Sequence, residues 1–130
     1  MKKFWAGLAL LCSLSAAHAG ERAVYFVTPA DGATVSSPFT VKFGLKGMTV
    51  KPAGEVVEGT GHHHLLINRP SLPAGEPVPF DEQDLHFGKG QTETEVKLPP
   101  GDYTLTLQFA NGAHQSYGSA LSQMIRVTVK

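Results

Sequence analysis

Beyond position 12 the 130-residue chain has no cysteine. Without thiolates it can build no disulfide, Fe–S cluster, cysteine nucleophile or thiolate zinc site, which leaves imidazole, carboxylate and thioether as metal ligands. An excess of charge is lacking too: eleven Lys plus Arg stand against eleven Asp plus Glu. With no basic run carrying interleaved aromatics, the sequence gives no electrostatic reason to bind nucleic acid or anionic lipid. Apolar runs are short. The longest, within Phe4 to Leu14, falls below the ~20 residues that a membrane-spanning helix needs. No apolar pattern of helical period stands out either.

That first run belongs to a segment with the layout of a secretory signal peptide. Lys2 and Lys3 form its charged start, Phe4 to Leu14 its apolar centre, and Ala17-His18-Ala19 its cleavage motif. Residues 1–19 are therefore expected to be removed, taking Cys12 with them, and the product to be periplasmic or secreted. Cleavage after Ala17 instead would leave His18 first, an amine and imidazole suited to chelating copper(II). Residues 20–130 suffice for one core and form a single expected domain. Losing Lys2 and Lys3 leaves nine Lys plus Arg against eleven Asp plus Glu, a balance of −2.

What is present has a period of two. Val24 and Phe26, then Phe39, Val41, Phe43 and Leu45, alternate with Tyr25, Thr40, Lys42 and Gly44. Thr94, Val96 and Leu98 alternate with Glu93, Glu95 and Lys97; Tyr103, Leu105, Leu107 and Phe109 with Thr104, Thr106 and Gln108; Ile125, Val127 and Val129 close the chain. Asp31-Gly32 and Gly88-Lys89-Gly90 mark turns. Four prolines within Arg69 to Gln83 exclude an inner strand or a helix there and predict a long ordered loop of the kind that often carries function. The expected fold is all-β, an immunoglobulin-like antiparallel sandwich of about seven strands with Greek-key links. Tyr103, just after Pro99-Pro100-Gly101, is placed as the tyrosine corner of such a sandwich.

The most unusual stretch is Gly59-Thr-Gly-His62-His63-His64-Leu-Leu-Ile-Asn68. On a strand, His62, His64 and Leu66 share one face, while His63, Leu65 and Ile67 share the other. His63 then belongs with the packing. His62 and His64, roughly 6 to 7 Å apart at Cα, can reach one ion together. A third ligand must come from elsewhere: His86, His114 or the thioether of Met48. Thioether with imidazole and no thiolate favours copper, with zinc as the other ion. The glycine pairs open no predicted helix, Asp81-Glu82-Gln83-Asp84 lacks the EF-hand pattern, and no G-x-S-x-G elbow occurs, so no enzyme is expected.

The blocks Pro29-Ala-Asp-Gly, Gly47-Met48, Gly59-Thr-Gly-His-His-His-Leu-Leu-Ile, His86-Phe-Gly-Lys-Gly-Gln-Thr-Glu93 and Pro100-Gly-Asp-Tyr-Thr-Leu-Thr-Leu resemble domain-of-unknown-function family 4399, short exported bacterial proteins. That resemblance implies an exported β-domain and no particular activity. His18-Ala19, Thr28-Pro-Ala-Asp-Gly32 and Asn111-Gly-Ala-His114 are similar to places in the CopC-like periplasmic copper carriers, with Asn111 where those have aspartate and Ala113 inserted. The expected function is copper carriage or buffering through Met48, His62, His64, His86 and His114. The alternative is a non-enzymatic module of the cell envelope, with a protein partner there, in which the His/Gly blocks are structural.

Overall fold

The computed structural model describes residues 21–130, so the expected leader, with Cys12 and His18, lies outside the described residues. Nine strands form two sheets. The first holds β1 (Ala23–Thr28), β3 (Phe39–Lys46) and β7 (Glu93–Val96) in the order β1-β3-β7, all antiparallel. The second runs β2 (Ala33–Val35), β9 (Ser122–Val129), β8 (Gly101–Ala110), β5 (Thr60–Ile67) and β4 (Thr49–Val50), with β6 (Asp84–His86) also paired to β5. The short pieces β2 and β4 lie parallel to their neighbours. Among the described residues no helix is long and apolar enough to cross a membrane.

The alternation read from the sequence decides which side chains meet between the sheets. Val24, Phe39, Val41, Phe43 and Val96 from the first pack against Leu65, Ile67, Leu105, Leu107, Phe109, Ile125, Val127 and Val129 from the second in one core. Tyr103 forms the expected corner, its hydroxyl donating to the Pro99 carbonyl at 2.7 Å. Gly61 also faces this core, where a β-carbon would run into the Ala110 carbonyl and the Phe109 ring. Overfilling such a site forces the backbone apart, so Gly61→Ala is expected to destabilise the fold by about 2 kcal/mol, read as a lower urea midpoint at unchanged slope.

The outer face of the second sheet is covered. Thr106 and Gln108, which alternate with the core residues of β8 and so point out of that core, are 0% and 1% exposed. The proline-rich segment lies over them, pinned by side chains that a wet strand would not need. Thr106 donates to the Arg69 carbonyl, Gln108 Oε1 accepts from the Leu72 amide, and the Gln108 amide nitrogen donates to Gly118 and Leu121 carbonyls. Further along, the Val78 amide donates to the His114 carbonyl. Leu66, Val78 and Ala110, with Leu72 beside them, form a second small apolar cluster beneath this cover. Both faces of β5 are thus buried. Polar groups on its outer face must therefore find partners within the protein.

Candidate metal centre

Four of the five histidines among the described residues converge on that outer face. Strand parity sends His62 and His64 outward, and sends His63 inward against the Phe43 and Phe109 rings. Register supplies the next ligand candidate. His86 is the cross-strand partner of His64 in β6 and so shares its face. His62 lies opposite Ala110 at the end of β8, and the loop that follows returns His114 to the same place.

The His114 loop is tightly specified. Asn111 Oδ1 accepts from the Ala113 and Gln115 amides, and the His114 amide donates to the Asn111 carbonyl. His114 itself sits at φ 60°, a left-handed conformation that costs energy in a residue with a side chain. Such strain persists only where its surroundings over-determine it.

The ring nitrogens meet closely. His62 Nε2 lies 2.9 Å, His64 Nε2 3.3 Å and His86 Nδ1 3.2 Å from a single atom, His114 Nδ1. A neutral imidazole nitrogen carries either one proton or one lone pair, so at most one of these three approaches is a hydrogen bond. The others bring nitrogens together with nothing to share. Two nitrogens bound to one ion at ~2.0–2.1 Å stand roughly 3.3 Å apart in a tetrahedral site and roughly 2.9 Å apart in a square one, the spacing found here. His62, His64 and His114 each offer a nitrogen, all within 4.8 Å of one another, and so form a group able to hold a metal ion.

His86 joins through a fixed tautomer. Its Nε2 donates to the Pro79 carbonyl at 2.7 Å, which leaves the lone pair on Nδ1, the atom aimed at His114. A backbone carbonyl behind a histidine is the usual support of a metal-binding imidazole. Arg69 Nη1, 3.0 Å from the buried Asp84 Oδ2, ties the start of β6 to the covering loop.

Burial disfavours the charged form of three of these rings. Burial pushes the His62 imidazole down to about 4, and repulsion from His114 and His86 acts the same way. Burial, with repulsion from His62, His86 and His114, takes His64 down to about 2. His114 is lowered by burial and by His86. Neutral imidazoles with free lone pairs are the form a metal binds.

Met48 corrects the expected ligand set. It packs against the main core, beside Val50, which pairs with Gly61 on the inner face. The parity that sends His62 and His64 outward leaves the thioether on the opposite side of the sheet. The sequence reading also missed Pro79 and Phe80. The proline count marked their loop as functional, but no pattern in sequence reveals where a backbone carbonyl points.

A family model described as a domain of unknown function (DUF4399) matches residues 41–130. No curated protein matches the chain. A solved structure, the endo-beta-1,4-mannanase from Thermotoga petrophila, is similar over 85% of this chain and 20% of its own at 14% identity and a TM-score of 0.49. The chain thus spans about a fifth of that protein's length, and the likeness carries no argument about activity. None of these findings supports the likeness to CopC-like carriers.

Proposed function

The chain belongs to the DUF4399 family, and we propose that in this member the domain is an exported transition-metal carrier or buffer whose ligands are His62, His64, His114 and His86. One observation carries this reading: three imidazole nitrogens crowd onto His114 Nδ1, an arrangement that hydrogen bonding satisfies at most once and a metal ion satisfies throughout. Each buried nitrogen left unpaired costs about 1–3 kcal/mol, which a bound ion recovers. Copper is the proposed ion, because at an all-nitrogen site the divalent series peaks there, with zinc next to it. Two of the four rings that would hold the ion, His62 and His64, are fully buried, which would restrict a substrate's access to it and favours carriage over catalysis. Export rests on the leader-like residues 1–19.

The test is elemental analysis and calorimetric titration of the purified, processed protein. One copper per chain is expected, with uptake lost in the double variant His62→Ala, His64→Ala. Protein that takes up neither copper nor zinc above background sinks the reading. So does a double variant that folds and binds as the parent does.

A further inference from the structure

Phe80 is the most exposed large apolar side chain among the described residues, at 75%. An aromatic ring left in water forfeits the stabilisation of burial. Its neighbours give that position a meaning. The ring stacks on His86, with centroids 3.9 Å apart and planes 9° from parallel, and meets His114 edge-on at 5.1 Å. These two are the partly exposed members of the cluster, whereas His62 and His64 expose nothing. An ion arriving from solvent therefore reaches the nitrogens past His86 and His114, beneath Phe80.

The segment that carries the ring is held at both ends. Val78, 1% exposed, is fastened by its amide to the His114 carbonyl, and Asp84 is buried beside Arg69. Between these anchors, Pro79 fixes the edge of the His86 ring through its carbonyl while the next side chain covers the face of the same ring. We propose that Phe80 is the gate of the metal site: its ring closes the solvent side of the cluster, and swings off His86 to let an ion in or out. This inference rests on the metal-binding reading above and concerns the rate of exchange. A gate changes entry and departure together and leaves the equilibrium between them nearly untouched.

The experiment compares the full processed chain with Phe80→Ala, using copper(II) alone as the probe. Stopped-flow absorbance follows uptake on mixing and release into excess EDTA, and calorimetry supplies the affinity. Both rates are expected to rise about tenfold, the equivalent of one lost aromatic stack, while the dissociation constant stays within about threefold. Phe80→Leu, which keeps an apolar cover without the stack, should fall between. Unchanged rates at intact 1:1 binding overturn the gate alone. Faster release with unchanged uptake overturns it as well, since Phe80 then only steadies His86. If the parent takes up no copper, the site itself fails and the gate with it.

Discussion

His114→Gly will lower copper affinity by about two orders of magnitude or more while leaving the metal-free fold as stable as the parent to within about 1 kcal/mol. The loss follows from the geometry. His114 Nδ1 is the atom on which the other three nitrogens converge, so deleting its ring removes the centre of the donor set. Stability survives because the deleted residue holds φ 60°, which glycine adopts freely. The relief of strain offsets the extra freedom that glycine gives the unfolded chain. The loop keeps its shape through Asn111, whose side chain makes the local bonds. Calorimetric titration and thermal unfolding in EDTA check the two halves separately. Parent-like affinity would remove His114 from the site, and a large drop in melting temperature would show that its ring supports the fold.

The metal-free protein will lose stability steeply between pH 6.5 and about 4. In the folded state His62 and His63 are held down to about 4 and His64 to about 2, chiefly by burial, while in the unfolded chain each titrates near 6.5. Below pH 6.5 the unfolded state therefore binds more protons than the folded one, and stability falls as pH falls. The contribution is whole above 6.5 and is lost on the way down to the folded values. For each imidazole kept neutral in the fold, the slope approaches about 1.4 kcal/mol per pH unit, lessened wherever water reaches the ring. Asp84 works the other way. Burial and a hydrogen bond with Asp81 push its carboxyl up to about 6, so that this group gains on acidification while the buried histidines lose. Urea unfolding at pH 7, 6, 5 and 4 in EDTA reads the slope. His63→Leu should flatten it by one group's share, because His63 lies in the core between Phe43 and Phe109 with neither nitrogen hydrogen-bonded. A flat profile in the parent would mean that the buried histidines protonate without unfolding.

Period two in the sequence divides the histidine triplet as the structure does, because parity along one strand is a local property. The tyrosine corner at Tyr103 is legible for the same reason: turn and strand lie within a few residues. His86 is different. Its place beside His64 depends on the register of β6 on β5 across the whole proline-rich loop, and no local pattern encodes that register. The convergence of His114 likewise rests on a loop pinned by Asn111 and by Val78 from elsewhere in the chain. The place of Met48 is not legible in its ligand chemistry, because the face it takes follows from the pairing of Val50 with Gly61. The burial of both faces of β5 had a local sign in Leu66, apolar on the histidine face.

The rim of the second sheet beside β5 is divided between β4 at Thr60–Gly61 and β6 at His64–Leu66. Left open, the long apolar strand β5 would offer a row of unpaired amides and carbonyls to a second chain, the ordinary start of aggregation. Two fragments of two and three residues cover it and are too short to serve as templates in turn. One of these guards also carries His86. A chain whose β6 comes away from β5 therefore loses a ligand and uncovers a sticky edge in the same event, so metal depletion and self-association should accompany one another in concentrated, acidified solutions.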